Sequence, residues 1–279
     1  MREVLVLLGL VCLSPLFSAT VSGALTIMPK STYTRPGVAA AARLAELRSK
    51  SDVKVWEKID SCYEDMLDEK GGKKLVKLEQ LCMDLSKRLH EDSRPTISKD
   101  ELLQLVEWKF SKGKPRWALI NLLKSNQPKS VEKCSTAAFK QSEDGNISEA
   151  MKCFCELKGV GPATASALLS LHRDDLFAFM DDEVIECLYD GKRGYTLKIY
   201  LDVNKQCTEI AEKLGKNWTS RRIGRALWTA ARIAASGGDD ITLSGTSSKP
   251  RKNARSASTM KNDGHTETAR RSSRKRPKI

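Results

Sequence analysis

The stretch of this sequence best suited to chemistry reads Leu157-Lys158-Gly159-Val160-Gly161-Pro162-Ala163-Thr164-Ala165-Ser166-Ala167-Leu168-Leu169-Ser170-Leu171. Glycines at 159 and 161 allow a tight turn and leave backbone N–H groups facing outward with no Cβ in the way. Pro162 suits the first position of a helix, where no donor is needed. The N–H groups of Gly159, Val160 and Gly161, with those of the helix start at Ala163 and Thr164, form a cradle for a phosphate. Ala163, Ala165 and Ala167 let that helix pack closely on a neighbour. An amphipathic stretch, 149–157, precedes the turn, so the unit reads as a helix–hairpin–helix, which grips a nucleic-acid backbone without reading bases. An ordinary helical hairpin with a glycine turn has the same outline.

Two groups of cations accompany it. Lys109, Lys112, Lys114 and Arg116 interleave with Trp108, Phe110 and Trp117. Lys213, Lys216, Arg221, Arg222 and Arg225 gather before and within the last predicted helix. Cations at a helix start oppose its dipole, so Arg221 and Arg222 point to another duty, such as phosphate contact. Solvated surface charge is the plainer alternative.

The hairpin at 157–171 resembles that of the helix–hairpin–helix DNA glycosylases, of the endonuclease III-like type, which excise damaged or mispaired bases. Those enzymes follow the hairpin with an apolar segment and then Val-Asp-Thr-His-Val or a variant at a helix start. Phe177-Ala178-Phe179-Met180-Asp181-Asp182-Glu183-Val184 stands in that place. The resemblance therefore implies Asp181 as the catalytic residue. It extends over residues 99–235 as a helical domain, and is specific over 157–184. The wider chain also resembles the Amun-like animal proteins, which are assigned to this superfamily.

The departures carry their own implications. Bifunctional members place a lysine two residues after the second hairpin glycine; here that position is Ala163, which cannot form a Schiff base. The resemblance then implies monofunctional base release. Thr and His of the family motif become Asp182 and Glu183, which adds negative charge beside the site. No cysteine follows Cys207, so the cluster of the iron–sulfur subgroup has no ligands and no cofactor is expected. Breaking an N-glycosidic bond develops positive charge on the sugar, which a carboxylate can stabilise, or it can activate the attacking water. Asp181 would supply that carboxylate; an Asp at a helix start is also simply a good N-cap. The base must be flipped into a pocket. Trp108, Trp117 and Tyr189 are candidates for its wall or for filling the vacated stack, with core packing as the alternative.

The elements that must position these residues are helical nearly throughout 37–236. Helices are predicted over 38–48, 53–67, 74–89, 99–110, 117–124, 130–141, 148–157, 162–172, 182–189, 197–214 and 220–235. Ser98 with Glu101, and Asn146 with Glu149, have the spacing of capping boxes. Breaks are expected at Gly71-Gly72, at 113–115, 126–128 and 191–194. The fold class expected is all-α: a glycosylase-like domain over 98–236 with extra N-terminal helices over 28–97. Those helices are either a partner surface or a packed extension of the domain.

With 279 residues, 40% of them hydrophobic, the chain is too apolar for full disorder, and its one long apolar run is too short to anchor in a bilayer. The formal charge is +13. That balance favours a polyanion: DNA through its phosphate backbone, with chromatin or repair proteins as further partners and no membrane. Residues 237–279 carry eleven cations against four acids, with few apolar groups, and read as a disordered basic tail. Its two clusters, 249–255 and 270–278, look like a nuclear-import signal or a nucleic-acid arm, so the nucleus is the expected compartment. Residues 1–27 argue otherwise, having the layout of a secretory signal peptide unless Met28 is the working start. The eight cysteines are scattered, and His90, His172 and His265 lie far apart, so no metal site is expected and buried reduced thiols are.

Overall fold

The computed structural model describes residues 38–236. The leader-like segment and the basic tail lie outside the described residues. What is described is all-α: eleven helices and, among the described residues, no strand. They are α1 (Val38–Ser49), α2 (Val53–Ser61), α3 (Tyr63–Glu91), α4 (Lys99–Lys112), α5 (Trp117–Lys124), α6 (Pro128–Glu143), α7 (Ile147–Cys155), α8 (Pro162–His172), α9 (Asp182–Leu188), α10 (Leu197–Leu214) and α11 (Ser220–Ala235).

Local chemistry sets many of the boundaries. Ser98 and Glu101 close a reciprocal capping box at the start of α4. Thr196 and Thr219 cap α10 and α11 through Ile199 N–H and Arg222 N–H. Pro128 and Pro162 open α6 and α8. The expected box at Asn146 does not form; the Asn146 amide donates to Gln141 Oε1 instead, at 2.9 Å. Gly72, at φ 62°, kinks α3 where a break is expected. The single helix expected over 53–67 is split at Cys62, which caps α2 and precedes α3.

Helix α8 is the centre. Every residue from Thr164 to His172 is buried, as suits a helix apolar or small on all sides. Helices α3, α4, α6, α7 and α10 pack around it. Ser86 of α3 donates to Leu171 O at 2.6 Å, which ties the N-terminal region to this core. Helix α2 packs on α11, with Trp56 edge-on to Trp218 and Asp60 8% exposed between two arginines. The N-terminal helices thus extend the domain and share its core. Among the described residues no helix is long and apolar enough to cross a membrane. The seven cysteines from Cys62 to Cys207 are free thiols; Cys82, Cys134, Cys187 and Cys207 are buried.

Candidate functional site

The turn before α8 is shaped by Gly159, at φ 79°, a conformation that L side chains rarely adopt. A Cβ there would also meet Leu123 Cγ at 3.1 Å and Leu119 O at 3.2 Å, because α5 packs directly beneath. Gly161 differs: its backbone is ordinary extended chain, at φ −118°, and a Cβ would meet nothing within 4 Å. Gly159 therefore makes the turn, and Gly161 keeps its open side free of a side chain. Asn126, 6% exposed, pins the turn to α5: its amide donates to Lys158 O and its carbonyl accepts from Lys158 N–H, both at 2.9 Å. Val160 is buried.

The segment after α8 is held by buried polar side chains. Asn204 accepts from Ala178 N–H at 2.7 Å and donates to Leu176 O at 2.8 Å. Ser166 of α8 accepts from Met180 N–H at 3.0 Å. These bonds fix where Asp181 emerges at the start of α9. There its Oδ1 accepts from Asp182 N–H at 2.9 Å, so the capping role expected as the alternative is present.

The hairpin and Asp181 meet in one place. A cavity of about 180 Å³ is lined by Gly159, Gly161, Pro162, Ala163 and Thr164 on one side and by Phe179, Met180, Asp181 and Asp182 on another. Lys109, Lys114 and Arg116 stand on its wall. The volume is below the ~300–1,000 Å³ usual for drug-sized ligands, and suits a single ring system. Burial holds the half-buried Lys109 ammonium below its ordinary pKa, against the pull of Asp181 and Asp182. Asp182 is engaged by Arg193 and Tyr195, both at 2.8 Å.

Asp181 has a second neighbour that its sequence position does not announce. The Lys112 ammonium lies 3.3 Å from Asp181 Oδ2, and both side chains are about as buried as a core leucine, at 4% and 5% exposure. Four rings surround that ammonium: Trp228 at 4.6 Å, Tyr63 at 5.2 Å, and Trp108 and Phe179 at 5.4 Å. Cation–π attraction grows when the cation is desolvated, so the rings recover part of the cost of burying it. Glu183, 3% exposed, lies against Asp181. Burial first, and the Asp181 charge second, push its carboxyl up to about 8.

The remaining site residues expected from sequence are placed as follows. Arg221 lines a second, smaller pocket together with Lys112 and Asp181. Arg222 is not among the residues lining either space: it donates to Asp60 Oδ2 at 2.8 Å and stacks over Trp218 at 4.0 Å. Arg225 bonds the same Asp60. Of the aromatic candidates, Trp108 is buried and donates to Glu79 at 2.6 Å, and Tyr189 donates to Asp202. Trp117 is 59% exposed at the start of α5. Sequence reasoning missed the inward turn of Lys112; the signal was its spacing of four from Trp108, which puts both on one helix face. Asn126 read only as a break between helices. In comparisons with known proteins, the chain matches no family model, no curated protein and no solved structure.

Proposed function

We propose that this chain binds the sugar–phosphate backbone of DNA through the hairpin at 157–171, and that the adjoining cavity releases a flipped base by monofunctional N-glycosidic cleavage. Asp181 is the catalytic carboxylate in this reading. The observation that carries it is the shared cavity: the turn, the first residues of α8 and Asp181 line one space, with Lys109, Lys114 and Arg116 at its wall. The N–H groups of Gly159, Gly161 and Ala163 and the cations there would hold the phosphate, while the carboxylate would face a sugar developing positive charge. Ala163 on the same wall offers no amine, so that position supplies no strand-cleaving step. Chromatin or repair proteins as partners, and residence in the nucleus, belong to the same proposal. A glycosidase-sensitive gel shift of the full chain would contradict the nuclear assignment in favour of the secretory pathway.

Binding is tested by titrating labelled duplex DNA at several salt concentrations. The proposal expects affinity to fall steeply with salt and to fall further in Gly161→Asp. That substitution puts a charge at the turn where a side chain has open space, so its fold is kept. Equal affinity of a folded Gly161→Asp would overturn the hairpin contact.

A second reading, a non-catalytic adaptor on the same scaffold, is favoured by the ion pair of Asp181 with Lys112, which spends on the fold the charge that catalysis would use. DNA binding without base release from any damaged or mismatched duplex would select it.

A further inference from the structure

Two buried oxygens at this site have no hydrogen-bond donor: Oδ2 of Asp181 and Oε2 of Glu183. Their side chains belong to residues only 4% and 3% exposed. Lys112 approaches Asp181 Oδ2 as an ion pair but outside hydrogen-bond geometry. Ionised carboxylates only accept, so two of them facing each other away from water leave both oxygens unmet and their charges opposed. One proton changes both facts. The protonated carboxyl becomes a donor, its neighbour has a donor to accept from, and one negative charge is gone. The remaining charge is then met by the Lys112 ammonium, the cation in ion-pair contact with Asp181 at 3.3 Å.

We infer that Asp181 and Glu183 form a carboxyl pair sharing one proton, with Lys112 as its counter-charge, and that Glu183 is thereby the positioning residue for Asp181. The proton resides mainly on Glu183, whose carboxyl is pushed up to about 8 by burial and by Asp181, in keeping with the arrangement. Other charges around the pair are Asp182 on α9 itself, Lys109 on α4, Lys70 on α3 with Arg232 of α11 beside it, Glu79, Arg221 and Arg225 in the pocket that Asp181 and Lys112 share, and, beyond Cys187, Arg48 on α1. Lys70 is half-exposed and has its own ammonium held below the ordinary value by burial, so it is a weaker counter-charge than Lys112. In its shared-proton state the pair keeps Asp181 aimed, with Oδ1 on the α9 amide and Oδ2 beside Lys112. Loss of the proton sets two like charges in contact and drives Asp181 out of that aim.

As a statement about catalysis this rests on the role proposed for Asp181; as a statement about protonation it is read without DNA, so the two fail separately. The experiment is a pH titration of the full chain with glutamate labelled at the side-chain carboxyl carbon, followed by NMR. One resonance should titrate near pH 8, be missing in Glu183→Gln, move to lower pH in Asp181→Asn and to higher pH in Lys112→Gln. A Glu183 carboxyl already ionised at pH 6 would overturn the inference. So would a midpoint that ignores both Asp181→Asn and Lys112→Gln, since burial alone would then account for it. Where base release is measured, wild-type activity should fall as pH rises through about 8. Glu183→Gln, whose amide donates to Asp181 without titrating, should not show that fall. An identical fall in both would contradict the positioning role.

Discussion

A lysine ammonium withdrawn from water needs a counter-charge, and Lys112 finds one in Asp181. Four aromatic rings close around the rest of it. Removing one member of a buried pair strands the other, at a cost of roughly 3–5 kcal/mol. Lys112→Met should therefore lower the stability of the folded chain by about 3 kcal/mol, read from urea unfolding at neutral pH. The double variant Lys112→Met, Asp181→Asn should recover much of that loss, because no charge is left unpaired; additive losses would show that the two side chains do not interact. Asp181 thus has three engagements: the α9 cap, the Lys112 pair and a wall of the cavity. A chemical role for it has to be compatible with the other two.

Among elements, the hairpin depends most on a residue outside it. Asn126 makes two hydrogen bonds to Lys158 and one to Leu123 O from a buried position. Asn126→Ala leaves the Lys158 amide and carbonyl without those partners, and should cost about 1–3 kcal/mol. Amide hydrogen exchange should speed up at 157–161 while the α10 amides keep their protection; uniform protection would contradict this tie. The hairpin and four helix spans, those of α5, α8, α10 and α11, were legible in the sequence because proline, glycine, capping residues and periodicity agreed there. The break at Cys62 was not legible, since neither glycine nor proline marks it. The meeting of hairpin and Asp181 could be expected only from a resemblance, because side chains from α4, α8, α9 and α11 converge on them from well-separated stretches of chain. Arg222 shows the limit from the other side. Its position at a helix start signalled a duty, but only the packing of α2 on α11 identifies Asp60 as its partner.

For the whole molecule, two buried groups set a pH dependence with opposite signs. Burial pushes His172 down from 6.5 to about 4, so between those values the unfolded chain binds the extra proton and stability rises with pH. Burial and Asp181 push Glu183 up from 4.5 to about 8, so there the folded chain holds the extra proton and stability falls as pH rises. The two contributions oppose each other between 4.5 and 6.5. Above 6.5 only the Glu183 contribution remains. The melting temperature should accordingly decline from pH 6.5 to pH 8, and the decline should be smaller in Glu183→Gln. A wild-type decline that is unchanged in that variant would assign it to other groups. The docking of α2 is the second whole-molecule feature: Asp60→Asn weakens three charge-assisted bonds from Arg222 and Arg225 and should loosen the N-terminal helices, visible as faster proteolysis within α2.

Joint action of the hairpin and Asp181 on a nucleoside, as proposed, is decided by incubating the purified full chain with duplexes carrying uracil, alkylated, oxidised or mismatched bases. A free base should be released from at least one duplex, leaving the strand uncut until alkali is added, and that release should be lost in Asp181→Asn while DNA binding persists. Binding to the whole panel with no base released, or release undiminished by Asp181→Asn, would contradict it.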